Sequence, residues 1–505
     1  MAKLELPYEQ VFDLTHKMCT RISPDVLYLL TEAAKKETNP AAKTFLETMV
    51  ENERLAGIED KPVCQSPGYP SVWIRWGEAY EPNLSNLIDN ITRSVVDATK
   101  QGYIRPSIVH PLTRFNPGDS TGRGVPNYEL RYEKDLPYCE IIVSAKGCGA
   151  ELPNVAKILT PATLGKDFKG LKQLVLDTVT GARGQVGAHG YPCPPFSLGI
   201  GLGGQMDVAA KLSREAISTR NWLDHNPDPL FDELEQELLA DINKLGHRRR
   251  HIGACREDRL GFHPHRHSPC RHQLPLLGRA ALRHPLLPGR SHGRTLSGWR
   301  IKMAVYELTL PVDNETIEKL HVGDIIYLNG QVCTARDQAH LRLKALDEAG
   351  KPFPEDLKCA AIFHAGPVMK KDEAGHWYLS VIGPTTSIRM EPYADFIGRI
   401  GVKILIGKGG MAEGTRKAMQ KYKQVYAQAV PGCAVVLAKG VTGTKDPYWY
   451  ECGMPEAMWP LQTKHFGPFL ITMDSYGKSR YDDVQAHAQA VEEEILKTLW
   501  PPFSS

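Results

Sequence analysis

What this sequence lacks narrows it first. No apolar run reaches the ~18 residues of a membrane-spanning helix, so no membrane segment is expected. No charge excess stands out. Lys and Arg number 61 against 58 Asp and Glu, a net +3 that is too small to imply nucleic acid as a partner. The opening residues MAKLELPYEQVFD carry early acids and no apolar h-region, so a signal peptide is not expected. Eleven cysteines, an odd count without framework spacing, argue against a disulfide scaffold and for a reducing, cytoplasmic setting. No internal repeat is visible. What remains is ordinary for a globular protein, 42% hydrophobic and 24% charged over 505 residues. That length suits about three domains of roughly 150 residues each.

The chain is organised around Gly187–Gly204, GAHGYPCPPFSLGIGLGG. Cys193 stands between Pro192 and Pro194–Pro195, and Pro194 keeps it out of the helical region. Glycines 187, 190, 199, 201 and 203 let the backbone approach a bulky ligand. A thiol held this way suits a metal centre, a nucleophile or a buried structural cysteine. A second thiol, Cys64, lies in the turn KPVCQSPGY.

Periodicity predicts helices over 5–60, with Ser23-Pro24-Asp25 as one start, and over Asn83–Gly102. Arg114–Pro126 forms a glycine-rich polar loop resembling an anion-binding loop. Tyr138–Ala145 reads as a strand ending at Lys146-Gly147-Cys148, where the lysine could meet a carboxylate. Helices are expected at Phe168–Thr180, Val208–Thr219 and Leu230–Leu245. From Met303 onward strands at Tyr306–Leu310, Ile325–Leu328, Ala360–Phe363, Tyr378–Ile382, Val402–Ile406, Ala434–Leu437 and Phe469–Thr472 alternate with helices such as Asp337–Ala349. That is the pattern of an α/β domain.

Between these parts the composition breaks. His247–Arg300 mixes Arg, His, Leu and Pro, with Glu257 and Asp258 its only acids and no sustained period. A basic nucleic-acid arm or a His-rich metal tract are two readings. A third follows below.

In the C-terminal part, strands run into polar turns carrying Arg336 and His340; Thr385, Thr386 and Arg389; and Lys408. Ligands of α/β domains gather outside the carboxyl ends of strands. Cations converging there suit a small dicarboxylate, because Arg grips a carboxylate with two parallel bonds. The N-terminal part supplies thiols, the ligands of iron–sulfur clusters.

The motifs KPVCQ, CPPFSLGIGLGG, VCTARDQAH, HAGPV, GPTTSIRM, GKGG and ECGMPEAMW resemble those of the class I, iron–sulfur-dependent fumarate hydratases and the related L-tartrate dehydratases. The resemblance covers about 5–245 and 303–500. It implies an α/β fold with three parts. Residues 1–246 would form a mainly helical plus α/β cluster-binding domain. Residues 303–505 would form a smaller, swivelling-type α/β domain, and 247–302 would lie between them. It implies a [4Fe–4S] cluster on three cysteines, two of which match Cys64 and Cys193. Arg336 and Arg389 would clamp carboxylates, Thr385 would be the base for the carbon-bound proton, and Lys408 a further contact. Asp337 and His340 lie in the same VCTARDQAH motif as Arg336, and for each of these residues a capping or surface role is the alternative. The implied reaction is hydration of fumarate to L-malate. Dehydration of L(+)-tartrate, or cluster-free dicarboxylate binding without catalysis, are the alternatives. The implied protein is a cytoplasmic homodimer that takes a small dicarboxylate or hydroxy-dicarboxylate.

Two departures stand out. Ser66 replaces an acid usual in the family's first cysteine motif, C-Q-D-T-G. The third cluster cysteine, expected in N-F-x-C-W-A-A-R-R near residue 275, is missing. Reading His263–Leu282 from the second base of plausible GC-rich codons yields TLIDIPPAAINFRCWAARR, which contains it. The cysteine codon then spans Leu276 and Leu277. About 247–300 is therefore read as frameshifted, with Cys255 and Cys270 accidental and Met303 resembling the start of a separate subunit.

Overall fold

The computed structural model describes residues 3–66, 68–147, 153–185, 187, 196–245, 260–262, 304–358 and 360–499. Its combination of helices and mixed sheets makes it an α/β protein. The N-terminal helices Tyr8–Thr20, Pro24–Lys36 and Pro40–Ile58 fall where periodicity predicts. Pro24 opens the second helix from Ser23, although the Ser23 side chain makes no capping bond. Asn39 and Asn83 do cap, accepting from Ala42 and Asn86 N–H at 3.1 and 3.3 Å, the usual service of a short polar side chain to otherwise unpaired donors.

Behind them lies a three-stranded sheet in the order Asn127–Tyr132, Tyr69–Trp76, Cys139–Lys146, its first pair parallel and its second antiparallel. Its buried Val72, Ile74, Ile141 and Val143 pack on Val11, Leu14, Leu87 and Ile91 of the helices. This sheet fixes the turn at 61–66, which leads into its central strand. Further on, Leu198–Ile200 of the glycine-rich stretch pairs in parallel with Leu260–Phe262. The rest of 247–300 lies outside the described residues, as do Cys148, Cys193 and Cys359.

The C-terminal sheet closes on itself. Strands Ile325–Thr334, Ala361–Phe363, Ile404–Gly407 and Val425–Ala429 run parallel, in that spatial order. The long strand Pro460–Met473 pairs antiparallel with Val425–Ala429 on one side and with Ile325–Thr334 on the other. Val305–Thr309 and Val441–Thr444 extend the ring. Phe363, Trp459, Phe466 and Phe469 fill the core, each fully buried. Three of the parallel strands are buried along their whole length, as continuous apolar runs in a covered parallel sheet must be.

One expectation fails. Ala434–Leu437 is not a strand; Ala434–Lys439 is a helix. A four-residue apolar run does not distinguish the two states by itself. Here Asn52, from the distant Pro40–Ile58 helix, decides: its Oδ1 accepts the Val435 and Val436 N–H groups at 2.9 and 3.2 Å. The same helix buries Phe45 against Ile325, Val430 and Leu470, and Leu55 and Ala56 against Val368 and Val381. This packing brings the thiol turn onto the C-terminal sheet.

Candidate active site

The carboxyl ends of three parallel strands supply the floor of the site. Ile325–Thr334 runs into Arg336, Ala361–Phe363 into His364 and Gly366, and Ile404–Gly407 into Lys408. The turn Gly383–Arg389 is stitched across two of these ends. Thr385 N–H donates to the His364 carbonyl at 2.7 Å, Lys408 N–H to the Thr385 carbonyl at 3.2 Å, and Ser387 N–H to the Lys408 carbonyl at 3.0 Å. Below the turn, His364 Nδ1 and Ser387 Oγ lie 2.9 Å apart.

Arg336 precedes the helix Asp337–Glu348 and is buried. Its Nη2 pairs with Glu456 at 2.8 Å, while Nε and Nη1 are buried without a hydrogen-bond partner. Arg389 pairs with Asp337 through Nε at 3.2 Å and through Nη2, and comes within 3.9 Å of Glu456. Thus both arginines expected to clamp carboxylates already touch carboxylates of this chain. Asp337 serves as the partner that fixes Arg389.

His340 is buried one turn into the same helix, its Nδ1 donating to the Arg336 carbonyl at 2.8 Å. Burial pushes its pKa down to about 4, so the ring is neutral. His364 stands 5.5 Å away, ring centre to ring centre. Burial, and then His340, hold it well below the ordinary histidine range. Its Nε2 is buried and unpartnered.

The N-terminal part supplies the roof. Gln65 is buried and donates from Nε2 to the Pro384 carbonyl at 2.9 Å. The half-buried Cys64 lies beside it, its Sγ accepting the Ser66 N–H at 3.4 Å and donating to Gln65 Oε1 at 3.4 Å. Arg105 reaches across from below: Nη1 donates to the Gly366 carbonyl at 2.7 Å, and Nε is buried without a partner. Desolvation, and then the positive charge of Arg336, push its pKa down to about 9. Gly366 marks the meeting point. A Cβ there would stand 2.8 Å from Arg336 Nη1 and 2.9 Å from Arg105 Nη1. Two buried guanidiniums lie side by side with three N–H-bearing nitrogens unpaired, an arrangement that favours an anionic partner, because a buried cation is costly without a counter-charge.

The structure therefore brings Cys64, Thr385, Arg336, Asp337, Arg389, His340 and the Lys408 backbone around one place. Cys193 lies outside the described residues. Among the described residues, no three His, Cys, Asp or Glu side chains gather as a metal site. Arg105, Gln65, Glu456 and His364 escape sequence reasoning. Three of them sit in segments it does flag: Gln65 beside Cys64, His364 in HAGPV and Glu456 in ECGMPEAMW. Arg105 has no such signal; only the fold carries it to Gly366. The loop 114–126, expected to bind an anion, is a separate, largely exposed turn whose Ser120 Oγ donates to the Arg105 carbonyl.

Comparison with known proteins now bears on the site. Residues 8–251 match the family model described as fumarate hydratase (Fumerase), and 291–484 match the one described as fumarase C-terminus. A Geobacillus stearothermophilus protein named "Putative fumarate hydratase class I" is 30% identical over 518 aligned residues, covering 95% of this chain and 97% of that one. The Escherichia coli (strain K12) L(+)-tartrate dehydratase subunit beta is 42% identical over 173 residues, covering 34% of this chain and 84% of that protein. Two matched halves and a relative alike along nearly its whole length place this chain in the class I fumarate hydratase family of carbon–oxygen hydro-lyases.

Proposed function

We propose that the chain adds water reversibly to fumarate, giving L-malate, at the place where Arg105, Arg336 and the Thr385 turn meet. The observation that carries this reading is the pair of buried guanidiniums converging on Gly366 with unpaired N–H groups. They bind one carboxylate of the substrate and orient it by paired bonds. Arg389, braced by Asp337, and Lys408 complete the cationic rim. Thr385 Oγ1, which has no partner among the described residues, exchanges the C3 proton. Neutral His340 and His364 hold the turn without adding charge.

The donor chemistry at Cys64 fits an iron–sulfur cluster: its sulfur accepts a backbone N–H and lies beside a guanidinium, and cysteine sulfur is the ligand such clusters take. Cys64 and Cys193 would hold a [4Fe–4S] cluster, which when bound supplies Lewis acidity toward the departing hydroxyl. The third cysteine falls in the frameshifted reading of 247–300, between the parts 1–246 and 303–505. The same reading makes the protein a cytoplasmic homodimer. Among the described residues, no helix is long and apolar enough to cross a membrane.

A second reading, dehydration of L(+)-tartrate, is supported by the likeness of the C-terminal part to a tartrate dehydratase subunit. The test is anaerobic reconstitution of the chain as written and of a chain frame-restored over 247–300, each assayed with malate, fumarate and tartrate. The frame-restored chain should bind four irons and turn over a dicarboxylate, and the chain as written should bind iron poorly. Turnover of none of the three acids by an iron-replete protein overturns the reading.

A further inference from the structure

The edge of a guanidinium formed by Nε and Nη2 is one that grips a carboxylate as a fork. In Arg105 that edge is buried and carries only one weak contact. Nη1 is taken by the Gly366 carbonyl, Nε is buried and unpartnered, and Nη2 has a long 3.4 Å contact with Ser66 Oγ. Arg105 is held still, since Ser107 Oγ and Ser120 Oγ both donate to its carbonyl at 3.2 Å. Ser66 is held too. Its N–H reaches Cys64 Sγ, and a Cβ on Gly147 would come within 3.1 Å of its hydroxyl. A carboxylate side chain at position 66 would close the fork and set a negative charge against the substrate. A serine touches the fork only weakly, at Nη2, and adds one hydroxyl that both donates and accepts.

We propose that Ser66 determines specificity: with Arg105 it selects a four-carbon dicarboxylate hydroxylated on both inner carbons over one hydroxylated on a single carbon. The proposal rests on the hydro-lyase reading above and, of its two substrates, favours L(+)-tartrate over malate. A carboxylate seated on Nε and Nη2 carries its neighbouring carbon to the Ser66 side of the fork, because Ser66 Oγ contacts that same Nη2. In a monohydroxy acid the departing hydroxyl neighbours the other carboxylate, so the carbon facing Ser66 is bare. In the dihydroxy acid that carbon bears a hydroxyl, and Ser66 Oγ pairs with it.

Calorimetric titration of the full chain, anaerobic and without added iron so that nothing turns over, reads this directly with L-tartrate and L-malate. The wild type should bind tartrate about tenfold more tightly than malate, the value of one hydrogen bond near 1.4 kcal/mol. Ser66→Ala should bring that ratio to about one while malate affinity stays put, which also reports an intact fold. Ser66→Asp should lower the ratio and weaken both acids by filling the fork. In the iron-loaded, frame-restored chain the kcat/KM ratio should follow the same order. An unchanged ratio in Ser66→Ala, loss of malate binding in that variant, a wild-type ratio of one or less, or no binding of either acid overturns the proposal. If the loaded protein dehydrates neither acid but the binding ratio behaves as stated, the hydro-lyase reading fails and the assignment of Ser66 stands.

Discussion

Gln65 and Pro384 are joined by a 2.9 Å hydrogen bond across 319 positions of the chain, amide to carbonyl. Through it the cysteine turn of one half is registered on the threonine turn of the other. The two turns are in van der Waals contact at Gly383, where a Cβ would fall 2.1 Å from Gln65 Oε1. Gly383→Ala should therefore displace the Gln65 amide. The clash is with the end of a flexible side chain, so stability should change by only about 1–2 kcal/mol. Activity should fall more than tenfold, because small misplacements of reacting groups are costly. Thermal melts beside kcat/KM separate the two effects.

Arg389→Lys keeps the charge and loses the two-bonded geometry with which Asp337 braces the guanidinium. The expected cost is about tenfold to a hundredfold in kcat/KM, one charge-assisted bond of roughly 1.5–3 kcal/mol. Thr385→Ala should differ in kind, lowering kcat with KM little changed. Initial rates at limiting and saturating malate distinguish the two, and wild-type constants in both would remove this turn from the active site.

Cys64 and Cys333 offer a contrast in thiol chemistry. Burial, and then the neighbouring Glu355, push Cys333 up to about 12, so it stays a protonated core thiol. Iron counts after anaerobic reconstitution of the frame-restored chain should fall for Cys64→Ser and hold for Cys333→Ser. Equal losses would mean that the ligand is misassigned.

His340 makes stability depend on pH in a stated direction. Its folded pKa is depressed from 6.5 to about 4 by burial. The neutral ring therefore stabilises the fold fully above pH 6.5, and that contribution is lost as pH falls toward 4. The full depression is worth roughly 3 kcal/mol. Urea melts of the wild type and His340→Asn should show a stability gap at pH 7 that shrinks by about that amount at pH 4. A gap constant with pH would contradict a buried neutral histidine.

Asn52 is buried and makes four bonds, three of them to the C-terminal half: Nδ2 donates to the Val63 carbonyl of its own half and to the Gly432 carbonyl, both at 3.0 Å, and Oδ1 accepts from Val435 and Val436 N–H. Asn52→Ala leaves these backbone groups without partners. A loss of about 2–4 kcal/mol is expected, since each buried unpaired group costs roughly 1–3 kcal/mol with partial relaxation. Denaturant melts check it, and a loss below 1 kcal/mol would show that water replaces the amide.

Much of this was legible in the chain itself. The N-terminal helices and the strand–turn alternation after Met303 follow from local periodicity and capping, which act between neighbours in sequence. The motifs proposed for the active site were legible because their polar residues interrupt the apolar pattern at strand ends. Arg336, Thr385, Arg389 and Lys408 lie in such turns. Ser66 was visible as a departure, though not what it touches.

The rest depended on contacts distant in sequence. Arg105 gives no local sign of its role, because its partners Gly366 and Ser66 come from two different segments that only the packed fold unites. The run Ala434–Leu437 could not announce a helix, because Asn52, some 380 positions away, supplies the acceptor for its first N–H groups. The closure of the C-terminal sheet was equally hidden, since it depends on Pro460–Met473 pairing along both edges. Local chemistry in the sequence determined the elements and the kinds of group at the site. The tertiary structure alone decided which guanidiniums are buried side by side, and that burial leaves N–H groups unpaired in a low dielectric, where a counter-charge is most strongly favoured.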